Sequence, residues 1–103
     1  MEIDDITLGR DLKACDIPLP ERFSSVSRMH ARLTRTINGV FLEDLSSTNG
    51  TFLDGVRVRR KKKVHDGQHI FLGGPEAGEN VCELEISFNI ETGQIEKTQK
   101  LTF

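Results

Sequence analysis

Tryptophan and tyrosine are absent from this sequence of 103 residues, so its six phenylalanines are its only aromatic residues. A core must therefore be built from valine, isoleucine, leucine and phenylalanine. Long apolar runs are absent as well, which excludes a transmembrane helix. The residues that follow Met1 are acidic, whereas a signal peptide begins with a basic and then an apolar stretch.

Cysteine is scarce, and its two copies give no sign of a disulfide or of a metal site. Cys15 and Cys82 lie far apart, without a CxxC pair or a neighbouring set of metal ligands. Such cysteines are usually reduced thiols in a protein core. We therefore expect no metal, no other cofactor, and a location in the cytoplasm or the nucleus.

Length and charge narrow the classes of function. A chain of this length has room for one domain with one core, here residues 1–103. Its formal net charge of −2 argues against a dedicated nucleic-acid-binding domain, which is usually strongly basic. The charge is unevenly spread, because six of the seven residues from Arg57 to Lys63 are basic.

The dominant hydrophobic period is two, which is typical of strands with one buried face. It is clearest in residues 82–90, where apolar and polar side chains alternate. Asn38-Gly39 predicts a hairpin turn between strands at residues 32–37 and 40–45. Further turn signals occur at Asp54-Gly55, Asp66-Gly67 and Gly73-Gly74-Pro75. This pattern predicts an all-β fold, an antiparallel sandwich or barrel.

Three separated fragments carry residue types suited to binding a phosphate group. They are Gly9-Arg10, Ser27-Arg28-Met29-His30 and Ser46-Ser47-Thr48-Asn49-Gly50-Thr51. A guanidinium can pair with two phosphate oxygens at once, and loop hydroxyls and amides can donate further hydrogen bonds. No catalytic triad or P-loop motif accompanies the fragments. They predict a binding module for a phosphorylated side chain, and not an enzyme.

Each fragment also has a simpler interpretation. Arg10 would be an ordinary surface arginine, and the segment around Thr48 an ordinary turn. We expect His30 to be a buried histidine that ties its ring to nearby backbone. A hydrolase with Ser27 as nucleophile and His30 as base is the least favoured alternative, because neither a G-x-S-x-G elbow nor an acid partner is present.

Taken together and in this order, the fragments resemble the forkhead-associated (FHA) domain over residues 7–88. Beyond the three fragments, the matches are Cys15-Asp16-Ile17, Asp44-Leu45, Phe52, Asp54-Gly55 and Asp66-Gly67-Gln68-His69-Ile70-Phe71-Leu72-Gly73. The resemblance implies an antiparallel β-sandwich of about 10–11 short strands with peptide-binding loops at one end. It also implies recognition of phosphothreonine in a partner protein, as in signalling proteins such as DNA-damage checkpoint kinases.

The resemblance further implies roles for particular residues. The residues that would hold the phosphate are Arg10, Ser27, Arg28 and Thr48. Asn49 would hold the main chain of the peptide. The residues that would shape the loops are Gly9, His30 and Gly50. A small pocket for the γ-methyl group would favour phosphothreonine over phosphoserine.

Two features depart from the family pattern. Asp54 stands where the family often has asparagine, a mild change in a turn. Only eight residues precede Gly9, too few for the two strands with which the family usually begins. Three explanations are open: the first strand is lost, is cut off, or is replaced by residues 94–103 beside residues 82–90. For residues 91–103 we favour an edge strand over a linker, and an unpaired edge would favour a homodimer.

Two further features are less decisive. The basic run from Arg57 to Lys63 is expected to be a solvated hairpin, with a nuclear-import signal or a nucleic-acid contact as alternatives. Thr98-Gln99 matches the site type of DNA-damage kinases, and a phosphorylated Thr98 would offer another route to a homodimer.

The sequence thus predicts a phosphothreonine-recognition module in signalling or the DNA-damage response, in the nucleus or the cytoplasm, with the nucleus favoured. The first alternative is a structural or dimerisation module of the same fold with an idle phosphate site. The second is a nucleic-acid binder that uses the basic run.

Overall fold

The computed structural model of the chain describes residues 2–74, 81–87 and 99–102. Within these ranges the chain forms ten strands and no helix, and hence no helix that could span a membrane. The strands are β1 (Glu2–Gly9), β2 (Ile17–Pro18), β3 (Ala31–Thr36), β4 (Gly39–Asp44), β5 (Thr51–Leu53), β6 (Val56–Arg57), β7 (Lys62–Val64), β8 (His69–Leu72), β9 (Cys82–Ser87) and β10 (Gln99–Thr102).

The strands are divided between two sheets of five. The order is β2-β1-β3-β4-β7 in the first sheet and β10-β9-β8-β5-β6 in the second. Paired strands run antiparallel, except that β2 pairs with β1 and β10 with β9 in parallel. Buried residues from both sheets form one core cluster. The predicted all-β, mostly antiparallel sandwich is therefore confirmed.

The hairpin of β3 and β4 follows from its turn sequence and its alternating pattern. Leu33 and Leu42 are register partners and are both buried, so this face of the hairpin packs into the core. Both strands begin and end one residue earlier than the sequence predicts. The reason is that Gly39, with a φ of 132°, pairs with Thr36 and so belongs to the strand as well as to the turn.

The core is aliphatic. Its buried residues are Leu8, Leu19, Val26, Ala31, Leu33, Val40, Leu42, Leu53, Val58, Val64, Ile70, Leu72, Cys82, Leu84 and Ile86. We expect phenylalanine there too, and Phe23 does pack against this cluster, but all four phenylalanines with described side chains are only partly buried. Phe52 and Phe71 pair across β5 and β8, at strand positions that alternate with the buried ones. The pleat of the strand therefore turns these two rings to the outer face of the sheet.

The last described strands lie at one edge of the second sheet. β9 alternates as predicted, with Leu84 and Ile86 buried and Glu83 and Glu85 partly exposed, while residues 88–90 lie outside the described residues. β10 runs parallel to β9, with Gln99 opposite Leu84. The tail strand expected at residues 94–103 is thus described only in residues 99–102, and Thr98 lies outside the described residues.

The two cysteines are buried free thiols, as the sequence predicts. Burial raises the pKa of the Cys82 thiol to about 11. A thiol with so high a pKa stays protonated at neutral pH and is a poor nucleophile. Cys82 therefore serves the core as a small apolar side chain.

Candidate functional site

Three loops meet at one end of the sandwich. Loop 1 (residues 10–16) follows β1, loop 2 (residues 19–30) precedes β3, and loop 3 (residues 45–50) joins β4 to β5. The end of β1 lies opposite the start of β3, which lies opposite the end of β4, since Ala31 pairs with both Leu8 and Asp44. The strand register therefore brings the three loops to one end of the sandwich, and they carry every site residue predicted from the sequence except Gly9, which is the last residue of β1.

Gly9 lets loops 1 and 2 approach each other closely. A Cβ atom at this position would lie 2.1 Å from the carbonyl oxygen of Arg28 and 2.9 Å from Sγ of Cys15. The backbone N–H of Arg10 donates to the Ser27 carbonyl at 3.2 Å, and that of Asp11 donates to the Arg28 carbonyl at 3.1 Å. We call this close contact between loops 1 and 2 the seam. Any residue larger than glycine at position 9 would push the two loops apart.

The guanidinium of Arg10 is held from two sides. Its Nε donates a hydrogen bond to the carbonyl oxygen of Val26 at 2.5 Å, and its Nη1 donates to Glu21 Oε2 at 2.6 Å. The side chain of Arg10 is 21% exposed, whereas that of Glu21 is 69% exposed. The bond to Val26 fixes the plane of the guanidinium, and the remaining N–H groups of its fork take no part in either bond.

His30 connects loop 2 to loop 3 through its ring and is fully buried. The backbone N–H of Ser27 donates to Nδ1 at 2.9 Å, so Nδ1 carries no proton, and Nε2 donates to the Gly50 carbonyl at 2.8 Å. Burial lowers the pKa of the imidazole. The Gly50 hydrogen bond and the charge of Asp44 act to raise this pKa, but burial outweighs them. The ring is therefore neutral at pH 7 and holds both loops by their backbones.

Loop 3 is organised around Asp44 at the end of β4. Its Oδ1 accepts hydrogen bonds from the hydroxyls of Ser47 and Thr51, at 2.5 and 2.6 Å, and its Oδ2 accepts one from the backbone N–H of Ser47. Burial acts to raise the pKa of this carboxyl, but the hydrogen bonds from Ser47 and Thr51 outweigh it and leave the pKa lowered. The carboxylate is thus ionised at neutral pH and fixes the loop that carries Thr48 and Asn49.

Side chains also join loops 2 and 3 directly. Ser27 Oγ accepts a hydrogen bond from the backbone N–H of Thr48 at 3.0 Å, so its own hydroxyl hydrogen is left to donate elsewhere. Asn49 Nδ2 donates to the Ser25 carbonyl at 2.9 Å, which uses part of the carboxamide within the domain. Thr48 and Asn49 are both exposed. These bonds place the predicted hydroxyl and carboxamide groups beside one another on the surface.

Arg28 contributes to the site in a different way from Arg10. Its carbonyl oxygen accepts hydrogen bonds from Asp11 N–H and from the Cys15 thiol, so its backbone is part of the seam between loops 1 and 2. The residue itself is exposed. The pKa of Asp11 is lowered, chiefly by hydrogen bonds from the backbones of Lys13 and Ala14 and also by the charge of Arg28.

The bonds of the His30 ring argue against the hydrolase alternative. A serine nucleophile needs a ring nitrogen that can take its hydroxyl proton. Here Nδ1 accepts from the backbone of Ser27, not from its hydroxyl, and Nε2 carries a proton bonded to Gly50. In the part of the chain that the structure describes, no group of histidine, cysteine, aspartate and glutamate could hold a metal ion either. The arrangement offers hydrogen-bond donors, which suit the binding of an anion.

The sequence pointed to the donors but missed most of the residues that support them. Asp44 and Ser47 form an Asp-x-x-Ser pair, a turn signal that could have been recognised beforehand. Glu21 lies 11 residues from Arg10, and no local pattern links the two. Arg57 is also outside the predicted site, although a Cβ on Gly50 would lie 3.2 Å from its guanidinium carbon.

Comparison with known proteins agrees with this geometry. The family model of the FHA domain matches residues 6–73. The transcriptional regulatory protein EmbR of Mycobacterium tuberculosis is 31% identical over 70 residues, which are 68% of this chain and only 16% of EmbR. This chain therefore corresponds to a small part of that longer relative.

Solved structures with the same fold are similar as well. The N-terminal FHA domain of Rad53p from S. cerevisiae, in complex with a phosphothreonine peptide, has a TM-score of 0.69 and 27% identity, covering 80% of this chain and 65% of that one. The FHA domain of the CT664 protein from Chlamydia trachomatis has a TM-score of 0.63 and 31% identity, covering 68% and 69%. With most of its length matched by the family model and its strands arranged as a sandwich, this chain belongs to the FHA domain family.

Proposed function

We propose that this chain binds peptides that contain phosphothreonine and so mediates phosphorylation-dependent protein–protein interaction in signalling. The observation that carries the proposal is the hydrogen bond from Thr48 N–H to Ser27 Oγ, which joins two donor-bearing loops beside the clamped guanidinium of Arg10. The Rad53p domain, solved with a phosphothreonine peptide, supports the same assignment by its similarity.

The chemistry of each group suits a phosphate. A phosphothreonine carries about −1.5 to −2 charges at pH 7 and three acceptor oxygens. The Arg10 fork would pair with two of these oxygens, while the hydroxyls of Ser27 and Thr48 would donate to them. Asn49 would hold the peptide main chain through its carbonyl oxygen and its remaining amide hydrogen. Arg28, which is exposed beside the seam, would add a further positive charge.

The affinity expected from these contacts is moderate. Hydrogen bonds to charged groups contribute about 1.5–3 kcal/mol each. Three or four of them, less the cost of ordering the peptide, come near the roughly 8 kcal/mol of a micromolar complex. The Glu21 carboxylate occupies Nη1 of Arg10 in the free domain, but its exposure makes this ion pair weak and readily displaced by a dianion.

One peptide in three forms tests the proposal. Phosphothreonine, phosphoserine and unmodified threonine versions would be compared by fluorescence polarisation against the folded domain. We expect binding to the phosphothreonine form, weaker binding to phosphoserine, and none to the unmodified peptide. Equal binding of all three would reject phosphate recognition and would leave a structural module with an idle site as the better description.

The variant Arg10→Ala tests the site itself. Loss of the guanidinium should reduce affinity for the phosphothreonine peptide by at least about a hundredfold, since two charge-assisted hydrogen bonds disappear. Lys63→Gln removes one positive charge away from the loops and should bind as the wild type does. A folded Arg10→Ala domain with unchanged affinity would show that the phosphate is bound elsewhere.

Three narrower expectations belong to the same proposal. A role in the DNA-damage response and a nuclear location rest on the sequence resemblance and the basic run alone. Homodimerisation, through an edge strand or through a phosphorylated Thr98, remains a prediction as well. Mass spectrometry of Thr98 after DNA damage, fluorescence microscopy of a tagged chain and light scattering of the purified chain would test these expectations separately.

A further inference from the structure

Most of the basic run that the sequence singles out, residues 57–62, lies at the same end of the sandwich as the three loops. β6 turns back along β5, with Arg57 opposite Phe52, and the Val58 N–H donates to the Thr51 carbonyl at 2.8 Å. Residue 58 is therefore level with the start of β5, directly after loop 3. β7 runs antiparallel to β4, with Lys62 opposite Leu42. β4 ends at loop 3 and β7 runs in the opposite direction, so the first residue of β7, Lys62, is its residue nearest to loop 3.

The segment between these strands consequently crosses from one sheet to the other beside the candidate site. β6 is the edge strand of the second sheet and β7 that of the first. The buried side chain of Val58 anchors the start of the segment in the core. We call the cationic residues of this segment and its flanks the basic crossing: Arg57, Arg59, Arg60, Lys61 and Lys62.

The positive charge of the basic crossing is not neutralised within the described part of the chain. All five residues are exposed, and none of them is a partner in the ion pairs that described residues form at Arg10, Arg32 and His69. Five like charges placed side by side repel one another, although solvent screens part of the repulsion. A domain with a net charge of −2 thus carries a concentrated cationic surface at its loop end.

Arg57 connects the basic crossing to the candidate site. Its guanidinium carbon lies 6.0 Å from the centroid of the Phe52 ring, and a Cβ on Gly50 would lie 3.2 Å from the same carbon. Gly50 directly follows Asn49. An anion held at Arg57 would therefore lie within a few residues of extended peptide from the phosphate, since a strand advances about 3.3 Å per residue.

We propose that the basic crossing is a second subsite, which selects phosphothreonine peptides that carry aspartate or glutamate about two to five residues from the phosphothreonine. This inference rests on the proposed function, because the phosphate anchors the peptide whose acidic side chains the crossing binds. Each exposed ion pair adds a modest amount, so three of them give a preference of about tenfold for an acidic flank.

An acidic peptide suits this surface better than nucleic acid does. The cations adjoin the donors of loop 3 through Arg57, so one peptide can reach both groups. A nucleic-acid surface usually belongs to a strongly basic domain, whereas this chain is net acidic. Duplex DNA would also meet acidic residues at the loop end, the exposed Asp16 and Glu21 and the half-buried Asp11.

The experiment compares two phosphothreonine peptides of equal length, one with acidic residues on both sides and one with glutamine in their place. Affinities of the wild type are measured at about 50 and 200 mM salt, and duplex DNA is titrated in parallel. We expect about tenfold tighter binding of the acidic peptide at low salt, and a smaller difference at high salt.

The key variant replaces Arg59, Arg60, Lys61 and Lys62 by glutamine, and a second variant adds Arg57→Gln. Both should lose most of the acidic preference, and the key variant should bind the neutral peptide as the wild type does. Omitting Arg57 from the first variant protects the packing on Phe52 and Gly50. Lys63→Gln is the matched control, since its Cε lies 2.7 Å from a Cβ position on Gly39, at the opposite end of β4, and it should keep the preference.

The other outcomes separate the two proposals. Binding of both peptides with equal affinity overturns the second subsite and leaves the proposed function intact. Binding of neither peptide overturns both proposals. Equal weakening of the two peptides in the key variant would mean that the cations act on the phosphate and not on the flank. Loss of DNA binding in that variant, with the peptide preference unchanged, would assign the surface to nucleic acid.

Discussion

Nε2 of His30 donates a hydrogen bond to the carbonyl oxygen of Gly50 at 2.8 Å, and that oxygen also accepts the backbone N–H of Gly73 at 2.9 Å. Both acceptor positions of the Gly50 carbonyl are therefore occupied. The other ring nitrogen of His30 accepts the N–H of Ser27. One neutral ring thus sets the spacing between the two loops that carry Ser27 and Thr48.

Replacement of His30 by alanine should lower the free energy of unfolding by about 3 kcal/mol or more. The change leaves a cavity and removes the partner of the Ser27 N–H and one partner of the Gly50 carbonyl. Urea denaturation of the purified domain measures the effect. His65→Ala is the control, because His65 is exposed and should change stability by less than about 0.5 kcal/mol. Similar losses in both variants would contradict the bridging role.

Stability should also depend on pH through His30. Burial lowers the pKa of this ring in the folded state, whereas an unfolded histidine titrates near 6.5. The contribution of the neutral His30 ring to the free energy of unfolding is therefore complete above about pH 6.5. This contribution is lost as the pH falls towards the lower pKa of the folded state. The pKa of the Asp44 carboxyl is also lowered, and the stability linked to it is lost in a more acidic range, around and below the ordinary value of 3.8.

Denaturation midpoints measured between about pH 5 and pH 7.5 test this dependence. In the wild type the midpoint should decline from about pH 6.5 downwards, and in His30→Gln the decline should be absent. His65→Gln should retain it. An identical pH profile for wild type and His30→Gln would mean that another group titrates in this range.

Replacement of Gly9 should destabilise the domain through a steric clash and not through backbone strain. Gly9→Ala would bring a Cβ within 2.1 Å of a backbone carbonyl oxygen, which cannot move without opening the seam, so we expect a loss of about 2–4 kcal/mol. Gly55→Ala is the matched control. Gly55 has a φ of 86° and no neighbour within 4 Å, so only backbone strain of about 1 kcal/mol applies there. A smaller loss at position 9 than at position 55 would refute the close packing of loops 1 and 2.

The ion pair of Glu21 with Arg10 predicts a gain of function. Glu21→Gln removes a carboxylate that competes with the phosphate for Nη1, so affinity for a phosphothreonine peptide should rise about two- to fivefold at low salt. Asp5→Asn is the control, since Asp5 pairs with Arg32 on β1 and β3, away from the loops. Titration calorimetry can measure both variants. Weaker binding by Glu21→Gln would mean that the carboxylate orients the guanidinium for the ligand instead of competing with it.

Local sequence carries the information for strands and turns, and it predicts them well in this chain. Asn38-Gly39 marks the β3–β4 hairpin because glycine tolerates the positive φ found at residue 39. The composition also predicts phenylalanine in the core, whereas the phenylalanines with described side chains are only partly buried. Whether Phe52 faces inwards depends on its register with Phe71 and Arg57, which long-range pairing decides.

The site residues show the same division between local and long-range information. Arg10, Ser27, Thr48 and Asn49 were identified by type and by resemblance, and the structure places them on neighbouring loops. Their proposed contacts with a ligand remain predictions. Glu21 and Arg57 approach the site from positions that no motif connects to it, because strand pairing and loop packing bring them there.

The amino-acid order alone determined the family, the period of the strands and the donor types of the loops, because each depends on residues close together or on a recognisable set of fragments. Only the tertiary structure decided which carbonyl orients Arg10, which tautomer His30 adopts and where the basic crossing lies. These depend on hydrogen bonds between residues 16 and 20 positions apart and on the order of strands in two sheets. Such distances in sequence are closed by the fold, and no local pattern encodes them.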